Sequence, residues 1–179
     1  MSSIPFVEKT GSALCGVEKT VYIMRGVPGC GKSTYVTQLS TSDSTCICSA
    51  DNFFLFNGKY NFDPRKIGEA HQYCLSVFID ALITGISAIF VDNTNSTLWE
   101  YQNYLKLARC WGYRVRIIEI VCRNTGELQI FHARNKHNVP YEACLRMWRR
   151  WERDPNAELV ADHPIVCVTN DEAEEVIEK

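Results

Sequence analysis

Residues 26–34 read Gly-Val-Pro-Gly-Cys-Gly-Lys-Ser-Thr, a complete Gly-x-x-x-x-Gly-Lys-Ser/Thr segment between the apolar run Thr20–Arg25 and a stretch of helical period. Few folds accept such a segment. Glycine lets the backbone wrap into a nest of amides, and the helix that follows points its positive N-terminal end at the same spot. The expectation is a phosphate cradle in which Gly26, Pro28, Gly29, Cys30 and Gly31 form the loop. Lys32 reaches the β- and γ-phosphates of a nucleoside triphosphate, while the hydroxyl of Ser33, followed by Thr34, ligates Mg²⁺. Cys30 occupies a place that any small residue fills, so it is read as structural, with no redox role.

Around this segment, short β-branched runs alternate with longer stretches of helical period. Strands are expected at 20–25, 45–50, 88–92, 113–121 and 165–168, and helices at 33–39, 64–84, 98–111, 127–135, 141–153 and 171–178. This alternation predicts an α/β domain: a parallel sheet with helices on both faces. Asp63-Pro64 and Gly85 bracket one helix, and Thr97 with Glu100, then Gly112, bracket another.

At 179 residues the chain is expected to form one domain over 19–179, preceded by an arm over 1–18. No apolar run approaches the roughly 18 residues of a membrane span, and the first residues lack the pattern of a targeting signal, so a cytoplasmic or nuclear protein is expected. Nine cysteines without a Cys-x-x-Cys pair read as reduced core thiols rather than a disulfide scaffold or zinc site. Nine acidic side chains after residue 150 face only Arg153 and Lys179, so the net charge of −2 leaves the remainder basic. A local basic groove is compatible with this balance, whereas a broad nucleic-acid-coating surface is not.

Two carboxylates follow buried-looking strands. Asp51, in Ser49-Ala50-Asp51-Asn52, stands where it can take the proton of an attacking hydroxyl. Asp92 opens Asp92-Asn93-Thr94-Asn95, which offers a contact to Mg²⁺ and, from Thr94 and Asn95, hydrogen bonds to an acceptor. Asn135-Lys136-His137-Asn138 lacks the final aspartate of the guanine-reading Asn-Lys-x-Asp and follows a helix, which argues against a GTPase. The length argues against a ring-forming motor.

The chain resembles the polynucleotide 5′-hydroxyl kinase-like P-loop phosphotransferases. The resemblance rests on residues 26–34, on 49–54 followed by Gly58-Lys59-Tyr60-Asn61-Phe62-Asp63, on Ala70-His71, on 91–95, on Trp111-Gly112-Tyr113, and on Arg134-Asn135 before Val139-Pro140. It implies a P-loop sheet with a helical lid near 134–140, ATP and Mg²⁺ as cofactors, Asp51 as general base, and Lys32 and Arg134 on the donor phosphates. The implied acceptor is the 5′-hydroxyl end of RNA or DNA, the alternatives being a small metabolite or nucleoside, or a slow nucleotide-dependent binding role. Phe54 stands where the resembled enzymes carry an arginine for the acceptor phosphate, and Asn138 where they carry a second lid arginine. Phe54, Tyr60 and His71 are expected on the acceptor side. Arg150, within the helical stripe Arg146, Arg149, Arg150 and Arg153, is expected on nucleotide phosphate.

Overall fold

Neighbouring side chains along the apolar strands face two different layers. Val21 and Ile23 point to one side and Met24 to the other; Ile89 and Val91 oppose Phe90 in the same way, and Ile117 opposes Ile118. A strand buried on both faces reads as a continuous apolar run and belongs in a helix-covered parallel sheet. The computed structural model describes residues 18–40 and 44–160, and in it five parallel strands form that sheet.

Strands β1 (Thr20–Arg25), β2 (Thr45–Cys48), β5 (Ala88–Asp92), β6 (Arg114–Ile120) and β7 (Glu158–Val160) lie in the order β2-β5-β1-β6-β7. Helices α2 (Ile67–Thr84) and α3 (Gln102–Cys110) cover one face, burying Phe78, Leu82 and Tyr104 against Val21, Ile23 and Ile89. The other face carries α1 (Lys32–Leu39), α4 (Thr125–Ala133) and α5 (Tyr141–Arg149), through Val36, Leu128, Phe131 and Cys144. Among the described residues no helix is long and apolar enough to cross a membrane, and seven cysteines are free.

Several expected boundaries are observed. Asp63 accepts a hydrogen bond from the amide of Arg65, Gly85 closes α2 at φ 75°, and Gly112 follows α3 at φ 73°. Others differ. Residues 64–66 and 98–101 are 3-10 turns leading into α2 and α3, and α4 begins earlier than expected because Asn124, not a later residue, caps it. Helix α5 ends at Arg149 rather than running to 153, because the chain beyond it is drawn to the buried end of β1. Strand β7 and a small antiparallel hairpin, β3 (Leu55–Phe56) with β4 (Lys59–Tyr60), were not anticipated. The expected strand at 165–168, the helix at 171–178 and the arm's residues 1–17 lie outside the described residues.

Arg25, the last residue of β1, is fully buried. Its guanidinium donates to the carbonyls of Asn95 (3.0 Å), Ser96 (3.3 Å) and Glu152 (2.6 Å), pairs with Glu119, and lies over the rings of Tyr101 and Trp151. Three segments far apart in sequence are thereby fastened to the residue that precedes the glycine-rich loop. Replacing Arg25 with methionine strands the Glu119 carboxylate and is expected to destabilise the domain by about 3–5 kcal/mol. Adding Glu119→Gln should restore part of that loss, as urea-unfolding midpoints will report.

The same loop packs tightly on α4. A Cβ on Gly29 would lie 1.9 Å from the carbonyl oxygen of Phe131, and Gly29 sits at φ +75°. Gly58 has nearly the same φ, +74°, with open space around it. Gly58→Ala should therefore cost only the left-handed strain of about 1–2 kcal/mol. Gly29→Ala should cost visibly more in the same unfolding experiment.

Candidate active site

The exits of β1, β5 and β2 adjoin one another at the C-terminal edge of the sheet, the edge where open α/β sheets bind ligands. At the first exit, Gly26, Gly29 and Gly31 hold φ values of 158°, 75° and 101°, and the loop they form leads straight into α1. That helix has no side-chain cap and no acid in its first turn, so its first amides remain available to an anion. The amide of Gly26 donates to the carbonyl of Thr94 (3.1 Å), which ties the loop to the neighbouring exit. Lys32 folds back over the loop, donating from Nζ to the carbonyls of Gly26 (2.7 Å) and Val27 (3.2 Å). Pro28 is half-buried and Thr34 exposed on the first turn of α1.

Cys30 is oriented otherwise than a ligand contact. Its thiol is buried among Val27, Ile120, Leu128, Phe131 and Cys144, and burial pushes its pKa up. Its amide donates to the carbonyl of Val27. Cys30 is thus a packing residue of the loop.

At the second exit, the Ser33 hydroxyl donates to Asp92 Oδ2 at 2.7 Å, and Asp92 Oδ1 is buried without a hydrogen-bond partner. A hydroxyl beside a carboxylate oxygen that lacks a donor is a hard oxygen set, and it fits Mg²⁺, which keeps several waters and takes few protein oxygens. Asn93 accepts from the amide of Ala50 (3.0 Å) and thereby fixes the third exit against the second. Asn95 departs from its expected place on the acceptor. It is buried at φ 49°, its amide donates to the carbonyl of Met24 (2.8 Å), and its own carbonyl serves Arg25. Thr94 is half-buried beside it.

At the third exit, a 3-10 turn over Ala50–Phe54, begun by the Ser49 side chain, presents the Asp51 carboxylate with about half its surface in solvent. Tyr60 donates its hydroxyl to Asp51 Oδ1 (2.8 Å), and His137 Nε2 lies 3.7 Å from Oδ2. Burial, reinforced by the Asp51 carboxylate, holds the Tyr60 phenol well above the usual range.

Phe54, expected to meet the acceptor, is buried instead, packed on Phe53, Tyr60 and Phe62 as the core of the β3–β4 hairpin. His71 is exposed on α2 and makes no hydrogen bond among the described residues, so it is not the buried histidine that its helical setting also allowed.

The connection between α4 and α5 reaches both sides of this edge. Arg134 donates from Nε to the carbonyl of Gly29 (2.9 Å), lies over the ring of Phe131, and leaves Nη2 buried without a partner. Three residues on, His137 lies beside Asp51 and packs at a tilt on Tyr60, ring centres 4.5 Å apart. His137 was not singled out from sequence; its only visible signal was its place between Asn135 and Asn138. Arg150 is a correction in the other direction. It donates to Ser96 Oγ (2.8 Å) and pairs with Glu100 (2.9 Å), which makes it a clamp between the end of α5 and the turn before α3 rather than a nucleotide contact. Arg146 and Arg149 remain exposed on α5, and Arg153 falls beyond its end.

A family model described as an AAA domain matches residues 21–154. The human NEDD4-binding protein 2 is 34% identical over 143 residues, which are 76% of this chain and only 8% of that protein's length. Among solved structures, a chain of the Pnkp1/Rnl/Hen1 RNA repair complex superposes with a TM-score of 0.55 at 20% identity, over 74% of this chain and 44% of the other. Kti12 of Chaetomium thermophilum, in complex with ADP-AlF3, gives 0.56 at 10% identity over 79% and 88%. At these identities the likenesses show a shared fold. With its family match running from β1 to beyond α5, the chain belongs to the AAA-domain family.

Proposed function

We propose that this protein transfers the γ-phosphoryl group of ATP to a hydroxyl, and that the acceptor is the 5′-hydroxyl end of an RNA or DNA strand. The observation that carries the reading is the 134–140 connection, which touches the phosphate loop through Arg134 and the Asp51 carboxylate through His137. A phosphate cradle and a solvent-reaching carboxylate are thus bridged by one connection at the same edge of the sheet, as transfer to a bound hydroxyl requires.

In the proposed reaction, Asp51 takes the proton of the acceptor hydroxyl as the acceptor oxygen bonds to the γ-phosphorus and the bond to the β,γ-bridging oxygen breaks, releasing ADP. Lys32 exchanges the carbonyls of Gly26 and Val27 for phosphate oxygens, and the unpartnered Nη2 of Arg134 faces the charge that spreads over the transferred group. Magnesium, held by Ser33 and Asp92, would neutralise charge on the β- and γ-oxygens. The sequence resemblance supports a polynucleotide acceptor. Phe56 and Phe62, both more than half exposed around the hairpin, add flat faces of the kind on which unpaired bases stack. The burial of Phe54 favours one second reading, a kinase of a nucleoside or another small hydroxyl compound that brings no phosphate to that position.

Label transfer from γ-labelled ATP to 5′-hydroxyl oligonucleotides of RNA and DNA, beside a panel of nucleosides and small hydroxyl compounds, tests the reading. The expected result is a labelled oligonucleotide, a loss of about 10²–10⁴-fold in Asp51→Asn with ATP affinity retained, and no transfer after chelation of Mg²⁺. Label confined to small acceptors would establish the second reading. ATP binding without any transfer would leave a nucleotide-dependent binding role.

A further inference from the structure

A half-exposed aspartate has a broad terminal torsion, so its two oxygens ordinarily exchange places. At Asp51 they are made unequal. The Tyr60 hydroxyl donates to Oδ1 at 2.8 Å, whereas Oδ2 turns towards His137, whose Nε2 at 3.7 Å is beyond hydrogen-bond reach. The direction of the Tyr60 hydroxyl is itself fixed from three sides: by pairing of β4 with β3 opposite Leu55, by the Phe54 ring at 6.1 Å, and by the His137 ring at 4.5 Å. The hairpin therefore carries one polar group to the turn, and that group is spent on the carboxylate.

We propose that Tyr60 is a positioning residue: its hydroxyl pins Asp51 Oδ1 and leaves Oδ2 as the oxygen that accepts the proton of the incoming hydroxyl. This rests on the reading of Asp51 as general base, and it gives Tyr60 a supporting role in place of the substrate contact expected from sequence. A base displaced by about 1 Å loses on the order of 10²-fold in rate, so orientation of this carboxylate is a large effect.

Tyr60→Phe removes the hydroxyl and keeps the ring that packs on Phe54 and His137. The expected result is a fall in kcat of roughly ten- to a hundredfold with KM for ATP and acceptor nearly unchanged, a split that a purely structural residue would not produce. The second readout is independent of turnover. The charged or titratable neighbours of the Tyr60 phenol are Asp51 and His137, and the Asp51 carboxylate opposes ionisation of the phenol. In protein carrying ¹³Cζ-labelled tyrosine, the Tyr60 resonance, assigned by its absence from Tyr60→Phe, should titrate at lower pH in Asp51→Asn. Full kcat in Tyr60→Phe, alongside lost transfer in Asp51→Asn, would overturn the inference alone, as would a Tyr60 titration unmoved in Asp51→Asn. Full transfer by Asp51→Asn would overturn the reading of the base and the inference with it.

Discussion

The buried guanidinium of Arg25 sets the frame on which the site is assembled. A cation placed under the sheet's edge must have its nitrogens answered, and the answers come from Asn95, Ser96, Glu119 and Glu152. Those acceptors belong to the turn after β5, to β6 and to the segment after α5, so satisfying one side chain fixes three pieces of chain around the end of β1. The net stability of such a pair is small, because desolvation offsets most of the attraction. Its consequence is register. A one-residue slip of β1 would turn Arg25 out of its pocket and move Gly26, its neighbour in sequence, off the carbonyl of Thr94.

From that anchor the polar groups at the sheet edge divide into those already engaged and those still open. Asn93 and Asn95 bind backbone, Arg150 binds Ser96 and Glu100, and the Cys30 thiol is packed away. Asp92 Oδ1 and Arg134 Nη2 are buried without partners, and the first amides of α1 have no cap. Buried polar atoms without partners are costly and rare; Thr97 Oγ1 is another, and in the proposed reaction Asp92 Oδ1 and Arg134 Nη2 are the ones that metal and phosphate would answer.

Local chemistry made much of this legible. The strand, the glycine-rich loop and the helix over residues 20–39 follow from a motif whose glycines are needed at positive φ, and the caps at Asp63, Gly85 and Gly112 behave as their side chains dictate. The β3–β4 hairpin was legible too, since Asn57-Gly58 between apolar residues is a strong turn signal and both residues take positive φ. The roles of Phe54, Asn95 and Arg150 were not legible in the same way. An aromatic, an amide and an arginine each serve a ligand or a neighbour equally well, and only the three-dimensional partner decides. Arg25 escaped notice because a charge at a strand end reads as a boundary, and β7 because Glu158-Leu159-Val160 carries no alternation that marks a strand.

The 134–140 connection joins these levels. Asn135 holds it at the His137 amide and at the carbonyl of Val139, and Asn138 turns it at φ 52°, so two asparagines shape a loop that a single helix end could not. Arg134 at its start leans on Gly29, where a side chain on the glycine would collide with α4, and His137 at its middle leans on Tyr60 and Asp51. The loop is thus registered to the phosphate cradle by a tight backbone contact and to the carboxylate by a looser one at 3.7 Å. Under the proposed function, displacing the His137 imidazole would free the Asp51 side while Arg134 keeps its hydrogen bond to Gly29, so the two ends of the connection need not move together.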